Sequence, residues 1–427
     1  METKYLIIGN SIAGVSCIEG IRSIDNVGKI VVVSKEDIQN YSRPLISYYL
    51  AGKISENSMA FRSAEFYKEN SIELILNVTA LSIDTKNNTL ITNTGNIRFE
   101  KLLIASGGSP IVPNIQGYSK DIQGIFTFTS FSEAKKLKKY VEEEKIDNAV
   151  ILGGGLIGLK CAEGLLEHNI KIHMVELSDR LLSSTLDKDA SNFIETVLME
   201  KGCVVYKNDT IESIYSENNK ISKVKLKSGK EIETKLLVIA VGVKPETSFV
   251  KDTGIQCNRG ILVDQFMKTN ISNIFAAGDV AEGKNLITEK SSLIAIWPVA
   301  ARQGKIAGIN MAGGSAVYEG MFPMNAVEIA GVPVISFGIT AVDNLENYEI
   351  LKKSDGKTYK KIVLHNNKIV GSIFLGKIER SGIYAGLIKN QINVAEFKSF
   401  LLEEDFGLLI LPEKYRKHIV VGDGIEV

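Results

Sequence analysis

Short apolar runs alternate with segments of helical periodicity near the start of the chain. Residues 5–8 form an apolar run that ends in glycine, residues 12–24 repeat isoleucine and valine at helical spacing, and residues 29–33 form a second, mostly apolar run. Buried parallel strands read as continuous apolar runs, whereas a helix that packs on a sheet repeats its apolar positions once per turn. Strand, helix and strand within about thirty residues therefore predict a right-handed parallel βαβ unit.

The same order of elements recurs over residues 148–176. An apolar run at 149–152 leads into a glycine-rich turn, an amphipathic stretch continues to Leu166, and another apolar run covers residues 171–175. Two such units so far apart in the chain indicate two nucleotide-binding domains rather than one. The predicted fold class is therefore α/β, with two Rossmann-like, three-layer nucleotide-binding domains.

The remaining segments read as smaller elements. Residues 72–104 contain short alternating runs with Asn-rich turns, which predict a small β insertion, and residues 131–145 predict a charged surface helix. Residues 205–240 repeat the pattern of a meander. After about residue 318 the pattern changes to strands joined by Asp-Gly and Asn-Asn turns and then to helices, which predicts a separate C-terminal α+β domain.

Charge and cysteine usage exclude several classes of function. The 427 residues carry 50 basic and 50 acidic side chains, so the electrostatic footprint of a nucleic-acid-binding protein is missing. The four cysteines lie far apart without a CxxC pair, and the four histidines offer no HxxxH. Iron–sulfur, disulfide and zinc sites are therefore poorly supported, and no metal is expected.

The apolar runs are also too short for a membrane segment. None approaches the ~18 residues that span a bilayer. Residues 5–8 are followed by Gly9 and Asn10, without the small-residue cleavage pattern of a signal peptide. A buried strand explains this run better, so we expect a cytoplasmic location and no membrane partner.

The second glycine-rich turn carries the stronger fingerprint. Gly153, Gly155 and Gly158 stand in GxGxxG spacing between a predicted strand and a predicted helix. In a dinucleotide-binding turn the first glycine allows the tight turn, the second lets the backbone approach a pyrophosphate, and the third lets helix and strand pack closely. Glu176 closes the next strand, where a carboxylate accepts hydrogen bonds from both ribose hydroxyls and repels a 2′-phosphate. This turn therefore predicts NAD(H) in preference to NADP(H).

The first glycine-rich turn is imperfect, because Ser11 replaces the middle glycine between Gly9 and Gly14. The position expected to be acidic holds Ser34, followed by Lys35. A serine at a strand-to-helix turn also permits a second interpretation, an acyl-transfer nucleophile elbow in which Ser11 attacks. An elbow normally lies deeper in the chain, and this interpretation leaves the second fingerprint unexplained.

Three further motifs resemble the pyridine nucleotide–disulfide oxidoreductase superfamily. Residues 269–279, which end in Ala-Ala-Gly-Asp, resemble its second FAD signature, and residues 103–110 and 238–245 resemble its paired crossings between domains. In that superfamily FAD is bound by a discontinuous domain into which the NAD domain is inserted. The resemblance therefore implies an FAD-binding domain at 1–112 and 247–318, an NAD-binding domain at 113–246, and a C-terminal interface domain at 319–427. It also makes a homodimer through the last domain an expectation.

One departure from the superfamily narrows the chemistry. The stretch Tyr49-Leu-Ala-Gly52 lines up with NADH peroxidases and oxidases so that Pro44 occupies the position of their redox cysteine. Without a thiol there, sulfenic-acid chemistry and disulfide reduction lack their reacting atom. Arg43-Pro44 instead resembles rubredoxin reductases, ferredoxin reductases and the flavin domain of nitrite reductase. That resemblance implies Pro44 against the flavin ring and Arg43 near the flavin or the dinucleotide phosphates.

Two smaller departures leave roles open. Ferredoxin reductases that serve oxygenases carry Lys where this chain has Tyr48, and many NAD domains carry Glu where this chain has Lys160. Glu163, one turn further along, matches a second acid of that helix, so either Lys160 or Glu163 could approach the nicotinamide.

Trp297 and Pro298 resemble the start of the helix beneath the flavin pyrimidine, where backbone N–H groups favour anionic charge on reduced flavin.

These motifs assign residues to two cofactors, FAD and NAD(H). The FAD residues are Gly9, Ser11, Ile12, Ala13, Gly14, Ser34, Lys35, Arg43, Pro44, Ala105, Ser106, Gly107, Gly278, Asp279, Trp297 and Pro298. The NAD residues are Gly153, Gly155, Leu156, Ile157, Gly158, Glu163, Glu176 and Gly242.

The resulting hypothesis is an FAD-dependent NADH oxidoreductase. NADH would pass a hydride to FAD, and electrons would then leave to a small iron protein of the rubredoxin or ferredoxin type. No side chain is expected to act as a nucleophile, and Arg43 and Pro44 are the expected flavin neighbours. The alternatives are an NADH oxidase without a redox cysteine, and a flavoprotein subunit that serves a partner redox enzyme.

Overall fold

A computed structural model describes residues 1–342, 346–413 and 415. These residues divide into two compact units, each assembled from separate segments of the chain. The first unit contains Met1–Val112, Thr127–Glu144 and Gly242–Met321, and the second contains Pro113–Phe126, Lys145–Val241 and the residues from Phe322 onward. The resemblance implies domains that are defined by the cofactor they bind, whereas these two units are defined by packing. The predicted domain boundaries therefore stay a prediction.

A mixed sheet forms the centre of the first unit. In spatial order its parallel strands are Ile72–Ile75, Ile30–Val33, Glu2–Ile8, Gly95–Ile104 and Ile274–Ala276. The antiparallel extension consists of Thr89–Thr92 and Ala80–Asp84. Most side chains of the inner strands are buried, which is why these strands read as continuous apolar runs.

The prediction of a small β insertion at residues 72–104 is wrong at both of its ends. Ile72–Ile75 and the second half of Gly95–Ile104 belong to the parallel sheet. Ile72–Ile75 is only half-buried, and the first half of Gly95–Ile104 alternates between exposed and buried positions. Both segments therefore have the sequence pattern of an exposed antiparallel strand.

The first unit also contains α-helices. The α-helices are Ile12–Arg22, Ile46–Leu50, Glu65–Glu69, Phe131–Glu143 and Trp297–Met311. Ile12–Arg22, here called the first fingerprint helix, follows the first glycine-rich turn directly. The predicted helix at 131–145 is observed as Phe131–Glu143, and Ser130 and Glu133 close its N-terminus as a capping box.

The first fingerprint helix packs parallel to Trp297–Met311, here called the companion helix. A Cβ atom added to Gly304 would lie 2.1 Å from the carbonyl oxygen of Ala13, and one added to Gly308 would lie 2.2 Å from that of Cys17. Only glycine permits backbones to approach this closely. Because the contacting residues ascend together in both helices, the two helix N-termini lie at the same end of the pair.

Short strands complete the first unit. Gly108–Pro110 pairs with Val243–Pro245 in an antiparallel ladder, and a separate sheet contains Ile261–Leu262, Ala281–Lys284 and Ser291–Leu293.

The second unit contains the second βαβ unit. Its parallel strands, in spatial order, are Cys203–Lys207, Lys171–Glu176, Asn148–Leu152 and Leu237–Ile239, and Ile125–Thr127 follows at the edge. The helices are Leu156–Leu166, here called the second fingerprint helix, and Lys188–Glu200. The predicted meander is an antiparallel sheet of Ile211–Glu217, Lys220–Leu226 and Glu231–Glu233.

The C-terminal part of the second unit is a five-stranded antiparallel sheet with a helix against it. Its strands, in spatial order, are Met324–Ile329, Val332–Gly338, Lys368–Leu375, Tyr359–His365 and Glu349–Ser354, and the helix is Ser381–Lys389. The prediction of two Rossmann-like sheets and a C-terminal α+β region is therefore confirmed. Among the described residues, no helix combines the length and apolarity that a bilayer crossing requires.

Candidate functional site

Backbone contacts fix the first glycine-rich turn. Gly9 has a φ of +107°, and an added Cβ atom would lie 2.1 Å from the carbonyl oxygen of Ala105. An added Cβ atom on Gly14 would lie 2.0 Å from the carbonyl oxygen of Gly9. Strand, helix and the crossing at Ala105 thus meet at these two glycines. Ser11 is the N-cap of the first fingerprint helix, and its hydroxyl makes no capping hydrogen bond.

The segment around Asp279 lies against the first turns of two helices. Gly278 has a φ of +80°, and an added Cβ atom would lie 3.2 Å from Ala13 Cβ and 3.6 Å from Ala300 Cβ. The Gly278 N–H donates to Gln303 Oε1 over 2.9 Å, which ties this turn to the companion helix. Two helix N-termini, each with unpaired N–H groups and partial positive charge, therefore face the same region as the Asp279 backbone.

A cation lies near the Asp279 carboxylate. Burial raises the pKa of the Asp279 carboxyl above its ordinary value, and the positive charge of Arg43 opposes that rise. Arg43 Nη1 donates to the carbonyl oxygen of Thr129, and its Nη2 lies 3.5 Å from Glu36 Oε1. The guanidinium also stands over the Tyr41 ring, with 5.5 Å between Cζ and the ring centroid. Arg43 is therefore held in place before any ligand enters.

The other predicted FAD residues lie on turns of the same unit. Ser34 is buried at the end of Ile30–Val33, and its hydroxyl accepts from the N–H of Glu36 over 3.2 Å, whereas Lys35 is exposed. Pro44 is exposed in a short 3₁₀ helix. The location of Pro44 in this unit fits the resemblance, and its contact with a flavin stays a prediction.

Trp297 begins the companion helix and is half-buried. Its ring meets Phe61 edge to face, with 5.3 Å between the centroids and 84° between the planes. Pro298 follows in the first turn, where a proline costs no intrahelical hydrogen bond. Trp297 is thus packed on one aromatic neighbour, and its surface is not fully enclosed by the protein.

The crossing motifs form a pair of strands in the first unit. The Ser106 hydroxyl donates to the carbonyl oxygen of Glu246 over 2.8 Å, and the Glu246 N–H donates to the carbonyl oxygen of Gly107 over 2.9 Å. Gly242, which the resemblance assigns to NAD, begins the third segment of this unit with a φ of +124°. Its role toward NAD stays a prediction.

The second glycine-rich turn repeats the geometry of the first. Gly153 has a φ of +113°, and an added Cβ atom would lie 2.4 Å from the carbonyl oxygen of Ala240. An added Cβ atom on Gly158 would lie 2.0 Å from the carbonyl oxygen of Gly153. Ala240 therefore corresponds to Ala105 of the first unit. Ala240 is not among the predicted NAD residues, although the repeated Ile-Ala of both crossings could have identified it.

The conformation and surroundings of Gly155 indicate whether this turn fits a dinucleotide. Its φ of −80° is ordinary, and an added Cβ atom would meet nothing within 4 Å. Neither backbone conformation nor internal packing therefore requires glycine at this N-cap. Close approach of a ligand pyrophosphate to the start of the helix does require it, so the turn fits NAD(H). Leu156 and Ile157 follow as the first residues of that helix.

Glu176 is held beside this turn by two backbone donors. Its Oε2 accepts from the N–H of Gly154 over 2.6 Å, and its Oε1 accepts from the N–H of Ser178 over 2.7 Å. A carboxylate has about four acceptor positions, so capacity remains for ribose hydroxyls. The predicted NAD residues Gly153, Gly155, Gly158 and Glu176 therefore meet at one end of one sheet.

Lys160 and Glu163 bind another part of the second unit. Their Nζ and Oε2 atoms lie 2.5 Å apart, and both side chains are about one-fifth exposed. Glu163 Oε1 accepts from the N–H of Ala330 over 2.6 Å, and Lys160 Nζ donates to the carbonyl oxygen of Glu328 over 3.1 Å. Both side chains thus contact the hairpin that joins the first two strands of the C-terminal sheet. Contact of Glu163 with NAD stays a prediction.

Two comparisons with families cover nearly the whole chain. Residues 3–304 match the model of the pyridine nucleotide-disulphide oxidoreductases, and residues 323–392 match the rubredoxin NAD+ reductase C-terminal domain. The first match confirms the resemblance stated from the motifs, and with it FAD and NAD(H) as the cofactors.

Individual relatives agree with the family matches. The nitrite reductase [NAD(P)H] of Bacillus subtilis is 30% identical over 92% of this chain and 48% of that protein, so the chain spans about half of its length. The NADH-dependent phenylglyoxylate dehydrogenase subunit epsilon of Aromatoleum evansii is 30% identical over 93% of this chain and 94% of that protein. The crystal structure of NADH:rubredoxin oxidoreductase from Clostridium acetobutylicum superposes with a TM-score of 0.78 at 26% identity, covering 93% of this chain and 98% of that one. With both dinucleotide turns inside the matched residues, the chain belongs to the pyridine nucleotide-disulphide oxidoreductase family.

Proposed function

We propose that this protein is an FAD-dependent NADH oxidoreductase that passes electrons to a small iron protein of the rubredoxin or ferredoxin type. The observation that carries the proposal is the pairing of two dinucleotide-binding turns with Pro44 at the position where related peroxidases carry a redox cysteine. The match of residues 323–392 to a rubredoxin NAD+ reductase domain supports the iron-protein acceptor.

The residues of each turn have separate tasks in this proposal. The N–H groups at Gly155 and the second fingerprint helix bind the NADH pyrophosphate, and Glu176 binds the ribose and discriminates against a 2′-phosphate. In the first unit the two helix N-termini attract negative charge, and Asp279 accepts hydrogen bonds from hydroxyls of the flavin side chain. The bound FAD supplies the hydride and electron transfer, while the protein supplies position and electrostatics.

Thiol chemistry has no support among the cysteines. Cys17, Cys161 and Cys203 are buried, and burial raises the pKa of each thiol, in the case of Cys203 to about 11. Cys257 is exposed, and partial desolvation of its thiol together with the negative charge of Glu282 raises its pKa as well. A thiolate is the reactive form of cysteine, so electrons are expected to leave the flavin without a cysteine intermediate.

Anaerobic stopped-flow spectroscopy tests this function directly. We expect NADH to bleach the flavin absorbance rapidly and rubredoxin or ferredoxin to restore it. Glu176→Ala should raise the NADH concentration needed for half-maximal bleaching by roughly tenfold or more, since it removes hydrogen bonds to the ribose. Asp179→Ala changes an exposed carboxylate of the same loop and is the matched control.

Three results would contradict the proposal. Purified protein without flavin would remove its basis, and unchanged bleaching in Glu176→Ala would show that the NAD site is elsewhere. Bleaching by NADH without recovery in either iron protein would exclude these acceptors.

A second candidate function is that of an electron-transfer subunit. The relative from Aromatoleum evansii is a dehydrogenase subunit, and the chain covers 94% of it. Co-purification of the chain with a larger redox enzyme, together with slow turnover when it is isolated, would favour this function.

A third candidate function is that of an NADH oxidase. It is measured as NADH consumption under air in the absence of any iron protein.

Two further features of the proposal come from the sequence. We propose a homodimer formed through the C-terminal residues and a cytoplasmic location. Size-exclusion chromatography with light scattering measures the first, and cell fractionation measures the second.

A further inference from the structure

Asn10, the residue between Gly9 and Ser11, carries a buried amide nitrogen that makes no hydrogen bond within the described part of the chain. Asn10 is 8% exposed, and its Oδ1 accepts a hydrogen bond from the Tyr67 hydroxyl over 2.9 Å. Its Nδ2 has no hydrogen-bond partner among the described residues. A buried donor that stays unpaired costs about 1–3 kcal/mol, so such groups call for an explanation.

A chain of hydrogen bonds determines which way this amide faces. Asn40 Oδ1 accepts from the backbone N–H groups of Phe61 and Arg62, over 3.1 and 2.8 Å. Because a backbone N–H can only donate, the oxygen of Asn40 must face these groups and its nitrogen must face Tyr67. Asn40 Nδ2 accordingly donates to the Tyr67 hydroxyl oxygen over 3.1 Å.

The direction of this chain passes on to Asn10. The Tyr67 oxygen already accepts from Asn40, so its hydrogen is free to go to Asn10 Oδ1. Burial raises the pKa of the Tyr67 hydroxyl, which keeps that hydrogen in place at neutral pH. A flip of the Asn10 amide would therefore leave the buried Tyr67 hydrogen without its acceptor, and the observed orientation places the NH₂ group on the opposite side.

The position of Asn10 indicates what the NH₂ group binds. It lies in the turn between the first strand and the first fingerprint helix, where a dinucleotide places its phosphates and the adjoining ribose. All of these offer oxygen acceptors. Gly154, the corresponding residue of the second turn, has no side chain and so cannot supply such a donor.

We propose that Asn10 is a further FAD-binding residue, whose Nδ2 donates to an acceptor oxygen in the ADP portion of the cofactor. Tyr67 and Asn40 act as positioning residues that hold the amide in the donating orientation. The inference rests on the proposed function for the presence of FAD in the first unit, and it adds a contact that the fingerprint glycines do not supply.

The test uses the purified full-length protein with its flavin. Asn10→Asp keeps the size of the side chain and the acceptor for Tyr67, but it replaces the donor with a second acceptor. Flavin fluorescence released on serial dilution gives the FAD dissociation constant, which we expect to rise on the order of 10- to 100-fold. Asn57→Asp introduces the same charge at an exposed position of the same unit and should leave the constant unchanged.

A second readout identifies the portion of FAD that is bound. Once the flavin has been released, added ADP should raise the unfolding temperature of the wild-type protein and raise that of Asn10→Asp much less. Added riboflavin, which lacks the ADP portion, should not distinguish the two proteins. Equal protection of both proteins by ADP would overturn the assignment to this portion.

Tyr67→Phe provides an independent test if Asn10→Asp fails to fold. It leaves Asn10 intact but removes the hydrogen that orients the amide, so we expect a rise in the FAD dissociation constant between those of the wild type and Asn10→Asp. Flavin bound by both variants with wild-type affinity would overturn the inference alone. A wild-type protein without FAD would overturn the proposed function and the inference together.

Discussion

At the scale of single residues, Asp279 faces opposite requirements from stability and cofactor binding. The preceding residue, Gly278, packs against the first turns of two helices, and the Asp279 carboxylate lies near Arg43, yet burial raises its pKa. A raised pKa means that the ionised form is less favourable in the folded than in the unfolded protein. The group therefore lowers the stability of the folded protein more as pH rises through its folded pKa.

Asp279→Asn should separate the two effects. Without bound flavin, we expect the variant to unfold at a higher temperature than the wild type at neutral pH, and the difference to shrink as pH falls through the pKa of Asp279. FAD affinity should drop by roughly tenfold or more, since a carboxylate acceptor is lost. Thermal unfolding from about pH 8 down to the ordinary Asp pKa of about 4 measures the first effect, and flavin release measures the second. A variant that is less stable than the wild type at neutral pH would contradict this account.

The glycines whose backbone forms the two dinucleotide-binding turns were predictable from the sequence. Gly9, Gly14, Gly153 and Gly158 were predictable because a fixed spacing of glycines reflects a fixed turn geometry. The hydrogen-bond chain from Asn40 to Asn10 was not predictable, because its members are far apart in the sequence and follow no spacing. Their proximity depends on the packing of two loops against the helix Glu65–Glu69.

At the scale of elements, the contact between the first fingerprint helix and its companion helix depends on glycine. Gly304→Ala would place a Cβ atom 2.1 Å from the carbonyl oxygen of Ala13, and backbone cannot move aside as a flexible side chain can. We expect a loss of stability of about 1–3 kcal/mol, typical of an overpacked core, and weaker flavin binding because the helix N-termini shift. Denaturant unfolding and flavin release measure these two effects.

Gly382→Ala is the matched control for this substitution. Gly382 lies in helix Ser381–Lys389, and an added Cβ atom would meet nothing within 4 Å. Alanine there should stabilise the protein by up to about 1 kcal/mol, because glycine is the poorer helix former. If Gly304→Ala behaved like the control, the close packing of the two helices would not be the reason for glycine.

The types of most elements were predictable, but the sheet membership of some was not. The helix at Phe131–Glu143 and both βαβ units follow from periodicity and capping residues. The strands Ile72–Ile75 and Gly95–Ile104 were predicted as parts of a small insertion rather than of the parallel sheet, because their partial exposure gives them the sequence pattern of antiparallel strands.

At the scale of the molecule, a buried ion pair joins distant segments of the second unit. Lys361 Nζ lies 2.9 Å from Asp187 Oδ2, and these side chains are 0% and 1% exposed. The Tyr359 hydroxyl donates to the same oxygen over 2.6 Å, and Asp187 also caps helix Lys188–Glu200. Although burial alone would raise it, the pKa of Asp187 is lowered by the hydrogen bonds from Tyr359 and Lys361. The pair therefore links the fingerprint part of this unit to its C-terminal sheet.

Lys361→Met should leave Asp187 with an incompletely compensated charge. We expect a loss of about 3–5 kcal/mol at neutral pH, because removal of one member of a buried pair exposes the full desolvation cost of the other. The loss should shrink as pH falls through the lowered pKa of Asp187, since protonation removes the charge.

Urea unfolding from neutral pH down through the lowered pKa of Asp187 measures this loss of stability. Lys353→Met removes an exposed lysine from the neighbouring strand, where its ion pair with Glu403 should contribute less than about 1 kcal/mol. Equal losses in the free energy of unfolding of both variants would show that burial of the ion pair does not determine its contribution to stability.

The division of each unit into separate chain segments has a consequence for the order of folding. The parallel sheet of the second unit is complete once Leu237–Ile239 has been made, whereas the sheet of the first unit still lacks Ile274–Ala276 at that point, and the companion helix comes later still. Contacts between residues so far apart in sequence close slowly, because a long loop must be ordered to form them. On the ribosome, the part of the protein that is synthesised first is therefore expected to close later than the parallel sheet of the second unit, because its apolar strands await the last segment of their own unit.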